Sequence, residues 1–344
     1  MPRLRHFKWG EWAVEQRNGF IADAPEVVAV DTETSGVGFY DRAFCVTMSW
    51  RSPKGELRSA YFDVDEDESG TRAAMVRACL AQATTWVFHN AKFDLQKLTL
   101  GNLVNGPPEQ LHDTQTIFNL INENERKALK ILAAKVLGEE TDEDEKLKKV
   151  RRNLKLTKDD GYHLLPREVV IPYAMKDTEY TLRLYEKLWP RFQRMVEDDP
   201  QLLDVYNEEL RVSEVLRRWE ATGIRLDLEY LQETTDMYSI KVMEGWGRIQ
   251  KLTGVSDPKF PNSPTQLLKA FEARGLTLED TKESTIKQLD DDLARELLQY
   301  RSDMKMHKTY LKNLLDEQVD GIIHPWFNPT GARTGRMSSG SAAA

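Results

Sequence analysis

The sequence predicts an α/β domain, in which helices flank a mixed β-sheet, followed by a mainly α-helical region. Three early segments with strand character precede an alternation of strand and helix patterns, an order that indicates packed α/β layers. From about residue 200 to 318, apolar residues recur almost throughout at helical spacing. The 344 residues exceed one typical domain of ~100–200 residues, so we expect two compact units.

The elements of the α/β domain are predicted from local patterns. Residues 1–25 are polar with scattered aromatic side chains and are predicted to be a short lead-in segment. Apolar and β-branched runs predict strands, and apolar residues three and four apart predict helices. The predicted strands are Glu26–Val30, Ala43–Trp50, Leu57–Val64 and Thr85–His89. The predicted helices are Thr71–Gln82, Ala91–Leu100, Asp113–Leu120, Ala128–Leu137 and Arg167–Arg194.

The second region is predicted to consist of helices separated by glycine- and proline-containing stretches. These helices are Leu202–Thr222, Leu228–Leu252, Pro264–Arg274 and Ala294–Glu317. Asp198-Asp199-Pro200 ends the preceding helix, so we place the domain boundary near residue 200. The predicted division is therefore 1–200, 201–322 and a short final segment, 323–344.

The charge and cysteine content narrow the class of protein. The net charge of −8 means that any polyanion is held by local basic patches or by bridging cations. Cys45 and Cys79 lie in apolar surroundings without metal-ligand spacing, which indicates buried thiols in a reducing compartment. No apolar run approaches the ~18 residues of a membrane-spanning helix, and the N-terminus lacks a signal-peptide core. We expect a cytoplasmic protein that is not associated with a membrane.

Residues 139–160 have an unusual charge pattern, because an acidic stretch runs directly into a basic one. Two explanations remain open. The segment is either a solvated loop or helix face, or a basic flap that meets a phosphate backbone.

Acidic residues follow the first predicted strand. Asp31 and Glu33 are two residues apart, so the strand period places both side chains on one face, roughly 6–7 Å apart along the chain. Two carboxylates this close repel each other unless they are protonated or bridged by a cation. A solvated turn explains the pair equally well when it is taken alone.

Two further segments place acidic residues on helices. Asp94 lies in the first turn of a predicted helix, for which Asn90 is a plausible N-cap. Tyr173 and Asp177 are four residues apart on a strongly periodic helix and therefore share a face. Each segment has an ordinary structural explanation by itself. The order, spacing and setting of all three fit one scheme.

These three segments resemble the exonuclease motifs of the DnaQ-like (DEDD) superfamily. The matching strings are Val28-Ala29-Val30-Asp31-Thr32-Glu33-Thr34, His89-Asn90-Ala91-Lys92-Phe93-Asp94 and Tyr173-Ala174-Met175-Lys176-Asp177. The resemblance implies a ribonuclease H-like fold, which agrees with the predicted α/β layers. Subtypes carry tyrosine four residues, or histidine five residues, before the last aspartate. Tyr173 and Pro172 occupy these positions, so the chain resembles the tyrosine subtype.

The resemblance implies 3′→5′ hydrolysis of phosphodiesters by two divalent ions, Mg²⁺ or Mn²⁺. A carboxylate cluster without His or Cys suits Mg²⁺ better than zinc. Asp31 would bridge both ions, with Glu33 and Asp177 completing the first site. Asp94 would support the second ion through water. Tyr173, together with Glu33, would orient the attacking water.

The resemblance also implies residues that contact the substrate, and some of these have ordinary structural explanations as well. Val37 matches a small wedge position that packs against the terminal base, although a core valine explains it equally. Asn90 is expected to touch the substrate, but helix capping explains it as well. Thr32, between the two carboxylates of the strand, is also taken as a substrate contact.

The second half resembles the region after the exonuclease domain in family A DNA polymerases. The matching segments are 215–227, 262–267, 300–301 together with 305–310, and His324-Pro325 followed by Thr334-Gly335-Arg336-Met337-Ser338-Ser339. The first three are similar to the thumb, and the last to the start of the palm, where Arg336 would meet the primer-template backbone. Lys305, Lys308 and Lys312 have helical spacing and either follow duplex phosphates or form an ordinary exposed basic face.

The polymerase resemblance stops after Ser339, before the catalytic aspartates of a palm. We therefore expect no polymerase activity from this chain. Gly340-Ser341-Ala342-Ala343-Ala344 is expected to be a cloning-derived tail, and a split gene remains open. The arrangement without a 5′-nuclease domain resembles phage enzymes, which would place the protein in the host cytoplasm.

The favoured hypothesis is the proofreading 3′–5′ exonuclease and thumb of a family A DNA polymerase. Its expected partner is DNA, as a single-stranded 3′ end at the nuclease site and as primer-template at the thumb. We expect a monomer, and the lack of a large thumb insertion argues against a thioredoxin-type clamp partner. Two alternatives remain, an RNase D-like exoribonuclease of the tyrosine subtype and a DNA-binding module with a vestigial nuclease.

Overall fold

The computed structural model describes residues 8–140, 143–157, 161–332 and 334–340. The chain divides into two compact units. The first unit extends to Thr222 and also includes the segment from Pro325 onward, and the second unit is Gly223–His324. This division differs from the predicted boundary near residue 200 by one helix. The helix after residue 200 belongs to the first unit because Tyr206 is buried there in an apolar cluster with Ile117 and Phe192.

The first unit contains a five-stranded sheet and the helices that cover it. The helices are α1 (Trp9–Asp23), α2 (Thr71–Gln82), α3 (Ala91–Leu100), α4 (Thr114–Ile121), α5 (Leu129–Leu132, continued by the π-helical turn Ala133–Leu137), α6 (Glu143–Asn153), α7 (Arg167–Asp198) and α8 (Gln201–Thr222). A 3₁₀ turn, Tyr162–Leu164, precedes α7. The strands of the sheet are β1 (Val27–Thr34), β2 (Ala43–Arg51), β3 (Leu57–Asp63), β4 (Thr85–Phe88) and β5 (Gln110–Asp113).

The sheet is mixed, as predicted, with the strand order β3-β2-β1-β4-β5. β1, β2 and β3 pair antiparallel, whereas β4 pairs parallel with both β1 and β5. β1 is therefore the central strand, and Val28, Ala29 and Val30 are all buried. A continuous apolar run is expected of a strand that is covered on both faces.

The two faces of the sheet have different partners. On one face Val28, Val30 and Met48 join an apolar cluster with residues of α1 and α2. On the other face Ala29 packs against Leu182 of α7. Since side chains alternate along a strand, Asp31 and Glu33 share the α7 face with Ala29.

Two polar contacts fix α7 on this face of the sheet. The Thr47 hydroxyl donates to the Ala174 carbonyl oxygen at 3.2 Å. The hydroxyl groups of Ser49 and Thr178 are 2.8 Å apart. Both strand residues belong to β2, so the helix is tied to the strand next to β1 at two points one helical turn apart.

Two elements of the α/β domain, α1 and β5, were absent from the sequence prediction. The predicted lead-in segment, residues 1–25, contains α1, whose Phe20 is fully buried with its ring centroid 4.9 Å from that of Trp50. The apolar residues of α1 form only a weak amphipathic pattern, so the sequence did not mark this segment as a helix. β5 was missed because it is a four-residue, largely polar edge strand that pairs only with β4.

The second unit is mainly helical, as predicted. Its helices are α9 (Leu228–Thr253), α10 (Pro264–Glu272), α11 (Glu283–Ile286), α12 (Asp292–Met304, continued by the π-helical segment Lys305–Lys312) and α13 (Asn313–Glu317). Ile249, Phe260, Phe271 and Leu297 lie in its apolar core. Two short strands, β6 (Ile224–Arg225) and β7 (Ile322–Ile323), pair antiparallel at its ends. No helix among the described residues is long and apolar enough to cross a membrane.

The chain returns to the first unit as a small hairpin, and a buried ion pair lies beside it. β8 (Trp326–Asn328) and β9 (Ser338–Gly340) pair antiparallel. The Lys92 ammonium of α3 contacts the Glu220 carboxylate of α8, and both side chains are almost fully buried. Glu220 also accepts a hydrogen bond from the Phe327 main-chain N–H at 2.7 Å. The Lys92 Nζ lies 3.1 Å from the ring centroid of Trp326, so one ion pair joins α3, α8 and β8.

We expect Glu220→Gln to destabilise the first unit by ~3–5 kcal/mol, because it leaves the buried Lys92 ammonium without an opposite charge. The double substitution Lys92→Met with Glu220→Leu should lose less, since no uncompensated charge remains. Urea unfolding of the wild type, the Glu220→Gln variant and the double variant measures this difference in the free energy of unfolding. Equal losses for the single and the double variants would contradict the expectation.

Candidate active site

The first pair of predicted site residues lies at the carboxyl end of β1. Asp31 is paired with Thr47 and Glu33 with Cys45 across to β2. The register of β1 against β2 then shifts between Glu33 and Thr34, so regular pairing changes where the acidic residues end. Glu33 is buried, and Asp31 is partly exposed. Cys45 is itself buried and free, as is Cys79, which agrees with the prediction of buried thiols.

Asp94 reaches the same end of β1 from α3. Its Oδ1 accepts hydrogen bonds from the Thr32 main-chain N–H at 2.9 Å and from the Thr32 hydroxyl at 2.7 Å. Asp94 is only 3% exposed, so these two donors replace much of the water that the carboxylate would otherwise contact. Thr32 therefore acts here as the clamp for a carboxylate, whereas the sequence suggested a substrate contact.

The start of α3 is capped differently from the prediction. Asn90 occupies the N-cap position with a left-handed φ of 75°, but its side chain makes no capping hydrogen bond. The Asp113 carboxylate instead accepts from the main-chain N–H groups of Asn90, at 3.1 Å, and Ala91, at 2.8 Å. Side-chain capping therefore does not account for Asn90. Asp113 lies at the end of the missed strand β5, which explains why the sequence did not reveal this cap.

α7 presents the remaining two predicted residues. Ala174 and Thr178 contact the sheet, so Tyr173 and Asp177, each one residue earlier, point to the same neighbouring sector of the helix. Asp177 is 7% exposed. Its Oδ1 forms an ion pair with the Lys130 ammonium group of α5.

Lys130 was not predicted as a site residue. Its Nζ lies 4.5 Å from the ring centroid of Tyr173 and 5.1 Å from that of Tyr180, in addition to the ion pair with Asp177. Lys130 lies three residues before Ala133, which is fully buried, so both residues are on the same side of the helix. A lysine on that side is the feature by which the sequence could have indicated a site residue, but only the fold shows what Lys130 contacts.

The pKa shifts link Asp31, Asp94 and Lys130 in one electrostatic cluster. Burial raises the pKa of Asp31 to about 7, and the positive charge of Lys130 opposes this rise. Burial also raises the pKa of Asp94 well above its usual range, and the nearby charge of Asp31 raises it further. The two hydrogen bonds from Thr32 oppose this rise in the pKa of Asp94. The structure thus brings Asp31 and Asp94 within each other's field, where a positive charge favours ionisation of both.

The donor set fits a divalent cation in its chemistry. Carboxylate oxygens are the ligands that Mg²⁺ and Mn²⁺ prefer, and mutually repelling carboxylates gain stability from a bridging cation. In the part of the chain that the structure describes, no three His, Cys, Asp or Glu side chains converge at ion-binding spacing. The ammonium group of Lys130 is the positive charge placed against this cluster.

The weaker predicted contacts are located as follows. Val37 lies beyond the end of β1 and is 47% exposed, so the explanation as a core valine is wrong. Arg336 is exposed in the connection between β8 and β9. Lys305, Lys308 and Lys312 are exposed in the π-helical segment of the second unit.

A mixed sheet flanked by helices, with acidic residues around the end of its central strand, is consistent with a nuclease fold. Residues 15–193 match the family model of the 3′-5′ exonuclease domain of DNA polymerase A. This span covers more than half of the chain and includes Asp31, Glu33, Asp94, Tyr173 and Asp177. The chain belongs to this family, which confirms the exonuclease and family A resemblances. Exonuclease domains of this family depend on metal ions.

Similar proteins of known function are DNA polymerases. DNA polymerase I of Chloroflexus aurantiacus is 32% identical over 274 residues, which cover 73% of this chain and 27% of the relative. DNA polymerase DpoZ of Vibrio phage phiVC8 is 28% identical, covering 94% of this chain and 56% of the relative. The DNA polymerase of Escherichia phage T5 is 29% identical, covering 91% and 39%. The chain thus spans about a quarter to a little over half the length of these relatives.

A solved structure shares the fold. It is the POL domain of Pol1 from M. smegmatis in complex with DNA primer-template and dNTP. The TM-score is 0.66 at 19% identity, and the match covers 96% of this chain and 53% of that chain. At this identity the similarity supports the fold, which includes both the α/β layers and the helical region.

We expect Thr32→Val to lower kcat/KM for 3′-5′ hydrolysis about tenfold, because Asp94 loses one of its two donors and a hydrogen bond to a charged group is worth ~1.5–3 kcal/mol. Steady-state hydrolysis of a 3′-labelled oligonucleotide measures the change. Thr34→Val is the matched control, since it also removes a hydroxyl bond on β1, to the Gly36 carbonyl oxygen. Equal losses for both variants would show that the clamp on Asp94 has no special effect.

We expect Lys130→Met to destabilise the first unit in a metal chelator by ~3–5 kcal/mol, because Asp177 loses its counter-charge in a largely buried site. Added Mg²⁺ should recover more stability in this variant than in the wild type, since the carboxylates then depend on the metal alone. Thermal unfolding with and without Mg²⁺ measures both effects. Lys135→Met, which breaks an exposed ion pair with Glu125, is the control and should change stability by only ~0–1 kcal/mol. An equal response of both variants would contradict this role of Lys130.

Proposed function

We propose that this chain removes nucleotides from the 3′ end of DNA by metal-dependent hydrolysis of the terminal phosphodiester, as the proofreading portion of a family A DNA polymerase. One observation carries the proposal. Asp94 is clamped to the end of β1 by Thr32, between Asp31 and Glu33, inside the span that matches the exonuclease family model. The helix with Tyr173 and Asp177 packs on the face of the sheet that carries the same two strand carboxylates.

We assign the metal-binding role to Asp31, Glu33, Asp94 and Asp177. Two divalent ions, Mg²⁺ or Mn²⁺, would supply an activated water and neutralise charge on the phosphate. The raised pKa values of Asp31 and Asp94 support this assignment, because a cation bound there favours the ionised form of both.

The remaining residues position the reactants. Tyr173, with Glu33, orients the attacking water through the phenol hydroxyl. The ring of Tyr173 is held by an edge contact with Tyr162, with centroids 5.7 Å apart and planes at 86°, which limits where the hydroxyl can lie. The exposed side chain of Val37 is available to pack against a terminal base. Asn90, which is not used as a side-chain cap, is available for a substrate contact.

The proposed partners of the full-length protein follow from its relatives. The similar DNA polymerases support DNA as substrate in preference to RNA, and the exposed lysines of the segment 305–312 support contact with duplex phosphates. Arg336, which is exposed, is proposed to meet the primer-template backbone. We propose that the chain acts as a monomer in the cytoplasm.

We expect Asp31→Asn to reduce 3′-5′ hydrolysis at least about a hundredfold, since preorganised charge in an active site is typically worth this much or more. The fold should not lose stability, because the substitution relieves repulsion between Asp31 and Asp94. Hydrolysis of labelled single-stranded DNA, measured with Mg²⁺ and with chelator, tests the loss. The exposed Asp204→Asn on α8 is the control for the same chemical change. Full metal-dependent activity in Asp31→Asn would overturn the assignment.

Matched DNA and RNA strands distinguish the substrates. The proposal requires hydrolysis of the DNA strand, and a clear preference for RNA would favour an exoribonuclease. Tight binding of DNA without any hydrolysis would favour a binding module.

A further inference from the structure

α6 carries the concentrated positive charge that the sequence left with two explanations. Between positions 146 and 157 there are six basic residues and no acidic ones, in a chain whose net charge is −8. Lys148, Lys149 and Arg152 are exposed and lie at helical spacing on one side of α6. The segment is thus a helix with a basic outer face.

The inner face of α6 is anchored in the first unit. Leu147 is 2% exposed and packs in an apolar cluster with Val150. The same cluster includes Val170, Tyr162 and Tyr173 from the turn before α7 and from α7 itself. The anchor gives the basic face a defined place in the first unit, which a solvated loop would not have.

The anchor places the basic face close to the proposed catalytic tyrosine. The Arg151 guanidinium carbon lies 5.8 Å from the ring centroid of Tyr162, and that ring contacts the ring of Tyr173. The ring of Tyr162 therefore links α6 to Tyr173. Since a helix with its side chains is about 10–12 Å across, the outer face of α6 lies away from the scissile bond and towards phosphates that precede it along the strand.

We propose that the exposed face of α6, formed by Lys148, Lys149 and Arg152, binds the phosphate backbone of single-stranded DNA a few nucleotides before the scissile bond. This inference rests on the proposed exonuclease function and extends its substrate-binding surface. The binding partner is a polyanion with regularly spaced charges, which matches cations one helical turn apart. Lys148 forms an exposed ion pair with Glu145. Because such pairs are weak in water, a DNA phosphate can compete with the Glu145 carboxylate for Lys148.

The test uses the triple substitution Lys148→Glu, Lys149→Glu and Arg152→Glu in the full chain. Two substrates are compared, a single-stranded oligodeoxynucleotide and the p-nitrophenyl ester of thymidine 5′-monophosphate, which has no preceding phosphates. The ratio of kcat/KM for the oligonucleotide to that for the ester should fall about tenfold or more, mainly through KM. The slope of log kcat/KM against log salt for the oligonucleotide should become shallower by about 2, from three lost contacts at ~0.7 each.

A matched control separates local contacts from the overall field. Lys187, Arg191 and Arg194 are exposed at helical spacing on the distal part of α7, so their conversion to Glu makes the same change in net charge. Equal effects of the two triple variants on ratio and salt slope would overturn the inference. If circular dichroism shows that the Glu variant of α6 is misfolded, the Gln triple variant replaces it, with the same criterion. Absence of metal-dependent hydrolysis of both substrates by the wild type would instead overturn the proposed function.

Discussion

Removal of acidic side chains from water at the carboxyl end of β1 is the constraint on which the candidate site depends. Asp94 is almost fully buried, and the charge of Asp31 raises its pKa beyond the effect of burial. Thr32 opposes this rise in the pKa of Asp94 with two hydrogen bonds, and Lys130 opposes the rise that burial causes in the pKa of Asp31. An arrangement that needs positive charge to ionise fully is suited to a site that binds divalent cations.

Precise placement of α7 is the second requirement for this site. Thr47 and Ser49 are polar residues inside an otherwise apolar layer, and both bond to α7. Non-directional apolar packing alone would leave the rotation and sliding of a long helix less defined. These two bonds fix both, and therefore fix where Tyr173 and Asp177 lie with respect to the strand carboxylates. Lys130 then ties the same helix to α5 through Asp177.

α3 is held at its amino-terminal part. The Asp113 carboxylate accepts hydrogen bonds from the main-chain N–H groups at the start of α3. One turn later, Thr32 donates hydrogen bonds to Asp94. On its other side Lys92 forms the buried ion pair with Glu220, which also binds the main chain of β8. The segment after the helical unit therefore packs on the helix that carries a proposed metal ligand. A buried pair of this kind stabilises one specific arrangement because either charge left alone would be costly.

Local patterns predicted the elements that carry most of the site, because β1 and α7 have the apolar runs and spacing of a covered strand and an amphipathic helix. The order of the acidic motifs also predicted the family. The sequence did not predict α1 or β5, since contacts with distant residues rather than local patterns define them. The boundary near residue 200 differed from the compact units because the packing of α8 is a long-range property.

The sequence by itself thus determined the family of the protein and predicted the four carboxylates and the tyrosine as its site residues, since residue type and spacing along the chain carry that information. Tertiary structure decided how the acidic residues are held. Thr32 became a clamp, Asp113 a helix cap and Lys130 a counter-charge through contacts between residues 22 to 62 positions apart. No local pattern encodes such contacts, because they arise only when the sheet and α7 bring separate segments together.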